Sequence, residues 1–436
     1  MTMDHNGVPH DRSGRFAAQQ HDEGDINLDL DTGDWPGSAQ VEVRWISGST
    51  AWKGATSATV YATVPPDIAE LYFSVPSTVT AHVAEAERAI ATMSTQLSTV
   101  EPGVAEAAVL SLLRAESLSS SRIEGLALSN RRLAEAVYDP PSAKRLDREV
   151  ANNLRAAHHA IELGVKAAPF TEDDVLELHR ILMEGVPGVQ AGALRDRQNW
   201  IGPSESPTDA VYIPPPADRV PHGITDLVAF VNRTDVSPII QAAIAHAQFE
   251  AIHPFIDGNG RVGRCLISVI LRKRTGITTA PPVSGTLLKH TADYFGALRD
   301  FQQHADPWRW VTQFAQATTT SCHTASRLTG DIQRLQTSWR ERAGRPRQGS
   351  ITARLIAALP TLSFTDADQV ATKLGVDPNV ARRGLNALTA AGILSNVAES
   401  KRSRVWRADE FHKLLDEYGA GFDRDIEATI SRAGDG

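Results

Sequence analysis

Apolar residues recur at helical spacing through most of the chain. Around its centre they occupy Ala242, Ala245, Phe249 and Ile252, and then Val262, Cys265, Leu266, Val269 and Ile270. A period of three to four residues predicts helices. Between the two patterns stands HPFIDGNGR, whose glycines and asparagine tolerate the left-handed backbone of a tight loop. The centre of the chain is therefore predicted to be helix, tight loop, helix.

The same analysis predicts a mainly α protein with few strands. Helical patterns cover residues 83–97, 103–113, 131–137, 148–163, 171–183 and 307–340. Alternating apolar positions between residues 41 and 62 predict strand instead. Two short apolar runs that end at residues 202 and 213 enclose a Pro- and Ser-rich turn, and they predict a β-hairpin, with a plain surface loop as the alternative.

Composition narrows the class of protein. A length of 436 residues allows two or three domains, and a net charge of −8 argues against wholesale coating of nucleic acid. Two cysteines, Cys265 and Cys322, indicate no disulfide framework and favour the reducing cytoplasm. No apolar run reaches the length of a membrane span, and the polar, acidic start is unlike a signal peptide. We therefore expect a cytoplasmic protein without membrane contact.

The central loop groups residues that suit phosphate chemistry. It delivers free backbone N–H groups to the start of the second helix, where they and the macrodipole attract anions. Arg261 and Arg264 are three residues apart, so they share one helical face and can clamp neighbouring phosphate oxygens. Asp257 is a hard oxygen ligand for Mg²⁺, and His253 can accept a proton from a hydroxyl. Together these groups indicate phosphoryl or nucleotidyl transfer; any one alone would suit a structural role.

The loop also resembles the signature of Fic domains, HxFx(D/E)GNGRxxR, at every fixed position. The resemblance implies transfer of AMP from ATP to a Ser, Thr or Tyr hydroxyl of a protein, with His253 as general base and Asp257 as the Mg²⁺ ligand. It implies a nucleotide site whose phosphate contacts come from Gly258, Asn259, Gly260, Arg261, Gly263 and Arg264. Doc-type toxins, which phosphorylate instead, carry lysine at the position of Gly260, and this favours AMP transfer here.

A second motif ends the helix that starts at residue 103. Ser120, Glu124 and Gly125 match (S/T)xxxE(G/N), which resembles the inhibitory motif of the same family. The resemblance implies that Glu124 enters the nucleotide site and pairs with Arg264, because a carboxylate and a γ-phosphate compete as bidentate acceptors for one guanidinium. From the residues alone, a serine-rich helix end followed by an ordinary turn is the alternative.

Two further groups are assigned by the resemblance. The hairpin corresponds to the family's flap, which aligns the target segment, and Trp200, Ile201 and Gly202 are its residues expected near the nucleotide. Tyr294 and Gln302 are expected near the adenine, with packing in the core as an equal alternative.

The end of the chain resembles a winged helix-turn-helix. A basic linker is followed by three helical patterns and a two-stranded wing at residues 397–406. Arg382 and Arg383 on the third helix and Arg402 in the wing are candidate DNA contacts. Such folds also serve as protein-interaction or dimerisation modules, and that alternative stays open.

The predicted architecture is thus a Fic-type helical bundle with a β-hairpin flap and a C-terminal winged helix-turn-helix. Its divisions are a disordered acidic tail, an N-terminal segment with the inhibitory helix, the Fic core, a linker, the winged helix and a C-terminal helix, at residues 1–40, 41–125, 126–340, 341–349, 350–408 and 409–436.

Several functional alternatives share these residues. The same loop residues are compatible with a Fic enzyme that uses another nucleotide donor and with one that removes AMP. They are also compatible with a DNA-binding regulator in which the Fic core is a sensor. The target hydroxyl belongs to another protein or to the chain itself, and the sequence leaves the oligomeric state, including a homodimer, open.

Overall fold

The computed structural model describes residues 2–3, 9–10, 35–46, 57–202, 207–399 and 404–419. Backbone contacts divide the chain into two units. The smaller contains residues 1–34 and Tyr72–Ser74, and within it strand β1 (Thr2–Met3) pairs antiparallel with β2 (Pro9–His10). The larger contains residues 35–71 and 75–436 and carries every element described below. Most of the predicted acidic tail lies outside the described residues.

An antiparallel pair of strands opens the larger unit, where the alternating pattern predicts strand. Strand β3 (Ala39–Ile46) pairs with β4 (Ser57–Val64) from Ala39 opposite Val64 to Ile46 opposite Ser57. Trp35 is buried before the hairpin, with its ring centroid 5.5 Å from that of Phe301. Trp35 and Ser38, both within the predicted tail of residues 1–40, therefore contact the fold, while the division at residue 40 stays a prediction.

Eleven α-helices follow in the described part of the larger unit, between residues 77 and 342. They are α1 (Ser77–Thr99), α2 (Pro102–Ile123), α3 (Asn130–Tyr138), α4 (Arg145–Val165), α5 (Glu172–Leu182), α6 (Val220–Val231), α7 (Pro238–Ile252), α8 (Asn259–Thr275), α9 (Val283–Lys289), α10 (Thr291–His304) and α11 (Trp308–Arg342). The helical predictions are confirmed, and local sequence explains several ends. Helix α5, for example, begins with a capping box between Thr171 and Asp174.

Helices α7 and α8 form the centre of the core. Every residue of α7 from Ile239 to Ile252 is buried, and α8 is buried along most of its length. Helices α4 and α5 pack on α8, while α6, α10 and α11 pack on α7. The indole Nε1 of Trp310 donates to the carbonyl of Ala243 at 2.7 Å, which fixes α11 to α7. The loop between α7 and α8 is thus held at both ends by buried helices.

Among the flap residues that the structure describes, the predicted hairpin is reduced to one bridge. Ile201 and Tyr212 form an isolated antiparallel bridge, with the Ile201 N–H donating to the Tyr212 carbonyl at 2.8 Å. Residues 203–206 lie outside the described chain, and Pro207–Asp209 form a 3₁₀ turn. Prolines at 207 and 214–216 provide no N–H group, so a longer ladder is disfavoured.

A small mixed module follows α11. It contains α12 (Ile351–Ala358), β5 (Phe364–Thr365), α13 (Ala367–Leu374), α14 (Pro378–Ala390), β6 (Ser395–Glu399), β7 (Arg404–Arg407) and a helical stretch at residues 409–419. Its sheet is antiparallel, in the order β5-β7-β6. We call residues 351–419 the C-terminal module. Its identification as a winged helix-turn-helix stays a prediction.

Membrane insertion through a helix finds no support in these elements. None of the helices in the described ranges combines the length and the apolar character needed to cross a bilayer.

Candidate active site

The loop between α7 and α8 begins with a left-handed turn at His253. This residue caps α7 with φ at +48°, and Gly258 precedes α8 with φ at +84°. A left-handed backbone is uncommon for a residue with a side chain and persists where its surroundings enforce it. Arg195 supplies that support. Its side-chain Nε donates to the His253 carbonyl and its backbone N–H donates to the Pro254 carbonyl, each at 2.9 Å.

Arg195 is a structural residue of the site that the sequence did not reveal. Its side chain is buried and also donates to the carbonyls of Arg197 and Pro215, so one guanidinium joins the loop to the flap. Burial lowers the pKa of Arg195 to about 10, which leaves it charged at neutral pH. Tyr212 adds a second link, since its hydroxyl donates to the Ala251 carbonyl at 2.8 Å.

His253 is neutral at physiological pH. Burial, and then the positive charge of Arg195, lower the pKa of His253 to about 4. A neutral imidazole is able to accept a proton, which an imidazolium is not. The residue predicted to be the general base therefore has the protonation state that the role requires.

The rest of the loop is closed by side chains. The amide of Asn259 accepts from the Phe255 N–H and donates to the Phe255 carbonyl, both at 2.8 Å. The Phe255 ring stacks on His179 with centroids 3.7 Å apart, and the Gly192 N–H donates to His179 Nδ1 at 2.9 Å. The side chain predicted to hold phosphate, that of Asn259, is thus engaged in fixing the loop. His179 was not predicted.

Arg261 has unpaired N–H donors at the start of α8. The residue is 3% exposed, and its Nε and Nη1 have no hydrogen-bond partner among the residues described. Its Nη2 lies 3.5 Å from Asp257 Oδ1, which makes a long ion pair one helical turn away. Leaving buried donors unpaired costs about 1–3 kcal/mol, and the helix N-terminus next to them favours an anion. The arrangement suits a phosphate.

Asp257 can contribute to a Mg²⁺ site only if substrate phosphates and waters supply the other ligands of the metal ion. Its side chain is 56% exposed, and Oδ1 accepts from the Gly258 N–H at 2.6 Å. No group of three or more His, Cys, Asp or Glu side chains suited to a metal exists within the described ranges. Mg²⁺ commonly binds one or two carboxylates plus substrate phosphates and waters. One exposed carboxylate beside an anion site fits that pattern.

Arg264 is paired with the glutamate that the second motif predicts. Its Nη2 lies 2.6 Å from Glu124 Oε1, and its Nε donates to Ser120 Oγ at 2.8 Å. Glu124 caps the C-terminus of α2, directly after Ile123, and Gly125 turns the chain with φ at +76°. Burial lowers the pKa of Arg264, but Glu124, Tyr294 and Glu250 together outweigh burial and the pKa is raised. The structure therefore brings Ser120, Glu124 and Arg264 together.

Glu124 also occupies the space above the first turn of α8. A Cβ atom added at Gly260 would stand 2.1 Å from Glu124 Oε1 and 3.0 Å from Arg264 Nη1. No real Cβ tolerates the first distance, so the carboxylate fits only because residue 260 is glycine. Glu124 thus lies against the N-terminus where an anion is favoured.

Two buried ionisable groups lie beneath α8. A Cβ at Gly263 would be 2.8 Å from Glu250 Oε1 and 3.0 Å from His246 Nδ1, so Gly263 permits close approach of the helices. Burial raises the pKa of Glu250 to about 8 and lowers the pKa of His246 to about 3. Both side chains are therefore uncharged at neutral pH. Neither was predicted as a site residue.

Tyr294 and Gln302 belong to the core rather than to an open adenine site. Tyr294 is 1% exposed, its hydroxyl is 2.8 Å from His246 Nε2, and its ring packs on Trp310. Gln302 is buried, and its backbone carbonyl accepts a hydrogen bond from Ser38 Oγ at 2.9 Å. A ring with so little exposure offers no face to a base, so the packing alternative holds for Tyr294.

The flap and module residues are more accessible. Ile201 and Gly202 are exposed, and Trp200 is half-buried. A Cβ at Gly202 would lie 2.9 Å from Ala210 Cα, so the two arms of the flap approach closely there. Arg382 and Arg383 are exposed on α14, whereas Arg402 lies outside the described residues.

Comparison with known families gives two matches. Residues 169–271 match the Fic/DOC family, and residues 80–162 match the N-terminal module of that family. The first range contains the whole loop, and the second contains the Glu124 motif.

Individual relatives agree with these matches. The chain is 32% identical over 148 residues to protein adenylyltransferase fic-1 of Caenorhabditis briggsae, a match that covers 33% of this chain and 25% of the relative. It is 28% identical over 200 residues to a probable protein adenylyltransferase of Aquifex aeolicus, covering 44% and 56% of the two chains. The chain thus spans about a quarter of the length of the nematode relative.

Among solved structures, a Fic family protein from Desulfovibrio desulfuricans G20 has a similar fold. The superposition has a TM-score of 0.50 at 24% identity and covers 77% of this chain and 97% of the other. At that identity the likeness concerns the fold.

Proposed function

We propose, on the premise that this chain carries a Fic domain at residues 169–271 with its N-terminal Fic module before it, that the protein transfers AMP from ATP to protein hydroxyl groups. The acceptor is a Ser, Thr or Tyr hydroxyl, and the chain's own hydroxyls are included. One observation carries the proposal most directly. The buried Arg261 leaves two nitrogen atoms unpaired at the same helix end where Glu124 pairs with Arg264.

In the proposed reaction, ATP phosphates lie at the start of α8. Arg261 and the free N–H groups of the first turn bind phosphate oxygens, and Arg264 binds the outer phosphate once Glu124 has moved away. Asp257 would hold Mg²⁺, which when bound supplies further neutralisation of phosphate charge. These contacts orient the α-phosphorus towards the acceptor hydroxyl.

His253 then acts as the general base. The hydroxyl oxygen forms a bond to the α-phosphorus while the bond from that phosphorus to the bridging oxygen of pyrophosphate breaks, and the hydroxyl proton passes to the imidazole. The pKa of about 4 for His253 in the free protein keeps the ring neutral before transfer. Arg195 and Asn259 support this step indirectly, since they fix the loop that presents the ring.

The same geometry supports inhibition by Glu124. While the carboxylate pairs with Arg264 Nη2 at 2.6 Å, the γ-phosphate has lost one of its two arginine partners. ATP bound without that contact is expected to place its α-phosphate out of line with the acceptor. Displacing Glu124 is then the activating event.

The test is intact-mass analysis after incubation with ATP and Mg²⁺. We would compare wild type, Glu124→Gly and Glu124→Gly with His253→Ala. The expected result is a gain of one AMP in Glu124→Gly and none in the double variant. A gain of one phosphate would replace AMP transfer with kinase activity, and no gain from ATP with a gain from another nucleotide would replace the donor. Loss of AMP from a premodified sample in wild type would favour removal of AMP.

A second candidate function is DNA binding by the C-terminal module. Three helices, a β6–β7 hairpin and the exposed Arg382 and Arg383 on α14 are the features that support it. Fluorescence anisotropy with a short DNA duplex would compare wild type with Arg382→Ala plus Arg383→Ala. The control pair is Arg131→Ala plus Arg145→Ala, two exposed arginines outside the module. Equal binding by all three proteins would count against the proposal.

We also place the protein in the cytoplasm. The two cysteines, Cys265 and Cys322, are free and buried, as in proteins of a reducing compartment. Localisation of a tagged full-length chain would check this.

A further inference from the structure

Glu124 lies at a turn whose two flanking helices both contact the C-terminal module. Helix α2 leads into the turn and α3 leaves it. Both also pack on α4 in the core, and α2 packs in addition on α9 and α8. The inhibitory residue is therefore placed by elements that lie between the catalytic core and the module.

Helix α2 contacts the module between Gly103 and Arg114. Glu106 forms an ion pair with Lys373 of α13 at 2.7 Å. A Cβ at Gly103 would be 3.2 Å from Ala357 Cβ, so α2 and α12 approach closely where α2 has no side chain. Arg114 reaches Ser363 Oγ at 3.4 Å. The end of α2 remote from Glu124 is thus seated against the module.

Helix α3 contacts the module at both of its ends. The Tyr138 hydroxyl donates to Asp366 Oδ2 at 2.7 Å, and its ring meets Phe364 edge-on with centroids 5.1 Å apart. The side chain of Asn130, six residues after Glu124, donates to Asp416 Oδ1 at 2.9 Å. A shift of the module therefore acts on both sides of the turn.

The turn between α2 and α3 is attached to α4 by one apolar cluster, whereas the last turn of α2 buries mainly serine side chains. Leu118 of α2, Leu128 of the turn, Leu133 of α3 and Val150 of α4 make a buried apolar cluster. Beyond Leu118, the last turn of α2 buries only hydroxyl side chains before Ile123, at Ser119, Ser120 and Ser121. Asn153 donates to Ser121 Oγ at 3.0 Å, a bond worth about 1 kcal/mol. Little apolar packing thus opposes a displacement of this last turn.

The module has its own attachment to the core. Glu410 accepts from Trp339 Nε1 at 2.7 Å and pairs with Arg342 at 2.6 Å, and both partners lie near the end of α11. The module consequently keeps a connection to α11 that does not pass through α2 or α3.

We propose that the C-terminal module regulates the Fic site by holding α2 and α3 in the position that keeps Glu124 on Arg264. A ligand or a partner that reseats the module on α11 shifts both helices and releases the carboxylate. This inference rests on the proposed inhibitory role of Glu124. It assigns to the C-terminal module a role in controlling activity, in place of a passive packing role.

The test introduces a wedge between α2 and the module in the full-length chain. Gly103→Leu places a side chain against Ala357, and Gly330→Leu is the control, because only the far end of the Arg334 side chain lies within 4 Å of a Cβ there. Each variant is made in the wild-type and the Glu124→Gly backgrounds, and initial rates of AMP transfer are measured. We expect Gly103→Leu to raise the rate at least about fivefold in the wild-type background, as for a coupling of about 1 kcal/mol. In the Glu124→Gly background we expect no further rise.

The outcomes separate the two proposals. If Glu124→Gly transfers no AMP, the proposed function fails. If it is active while Gly103→Leu transfers no faster than Gly330→Leu in the wild-type background, the regulatory role of the module is refuted. A rise of equal size in both backgrounds also refutes it, because the effect would then bypass Glu124.

A charge exchange keeps the test decisive if the wedge unfolds the protein. Lys373→Glu opposes Glu106 with a like charge, and Glu106→Lys with Lys373→Glu restores the pair. Because exposed pairs contribute about 0.2–1 kcal/mol, we expect about a twofold rise in rate for the single change and a return to the wild-type rate in the double variant. Hydrogen exchange at residues 119–125 should rise in the single variant only. Unchanged rate and exchange would overturn the proposal.

Discussion

Removing the Glu124 carboxylate should destabilise the ligand-free protein and make ATP more stabilising. Arg264 is 2% exposed and would keep Ser120 but lose its carboxylate. Breaking a buried ion pair by removing one partner costs about 3–5 kcal/mol. The Glu124 side chain is 35% exposed, so water reduces this, and we expect roughly 2 kcal/mol. Alanine is the better replacement here, since glycine would also loosen the end of α2.

Thermal unfolding measures both effects. His253→Ala serves as the background so that no AMP is transferred, and Glu124→Ala is added to it. A loss of 1 kcal/mol lowers the Tm by about 2–4 °C in domains of 150–250 residues, and the lower slope, which suits a longer chain, gives a fall of about 4 °C for 2 kcal/mol. If ATP binds about tenfold more tightly without the competing carboxylate, saturating ATP and Mg²⁺ should restore an extra 1.4 kcal/mol, about 3 °C.

The control is Glu184→Ala, which removes an exposed partner of Arg155. Its Tm should change by about 1 °C at most, and its response to ATP should equal that of the background protein. If Glu124→Ala behaves like this control in both respects, Glu124 neither stabilises Arg264 nor competes with phosphate, and the inhibitory mechanism is wrong.

Three further predictions concern neighbouring residues. Arg261→Ala should weaken ATP binding by about 2 kcal/mol in calorimetry without lowering the Tm of the ligand-free protein, because its Nε and Nη1 are unpaired there. Asn259→Ala should lower the Tm and the kcat of Glu124→Gly, since it breaks both bonds to Phe255; an unchanged kcat would remove its positioning role. Glu250 binds a proton in the folded state with a pKa of about 8 against an ordinary value of 4.5, so the free energy of unfolding should fall as pH rises through that window. Denaturant titrations should show that Glu250→Gln flattens this slope.

The sequence predicted the residues whose chemistry is local. The loop from His253 to Arg264 was identified because its donors, glycines and arginines are contiguous, and the structure places them at one helix end. The pairing of Glu124 with Arg264 followed from a resemblance between short motifs, and the two residues are 140 positions apart. Neither spacing nor composition alone would have joined them.

Residues whose role depends on distant partners were missed. Arg195 supports the loop from a segment 58 residues upstream of His253, and nothing near it in the chain marks it as special. His179 and Glu250 look like ordinary helical residues until α5, α7 and α8 are packed together. Tyr294 is expected near the adenine by resemblance, with core packing as the equal alternative, and its side chain is enclosed by the core.

The absence of a side chain at Gly260 has an evolutionary consequence. A side chain at residue 260 would force the Glu124 carboxylate to move, since a Cβ would stand 2.1 Å from Glu124 Oε1, and the same atom would narrow the space where phosphates are proposed to bind. A mutant that escapes inhibition by this route therefore also alters the site proposed for phosphate, and the lysine that Doc-type toxins carry at this position accompanies a different reaction. A lineage of this chain under selection for constitutive AMP transfer should accordingly vary at residue 124 and retain glycine at residue 260.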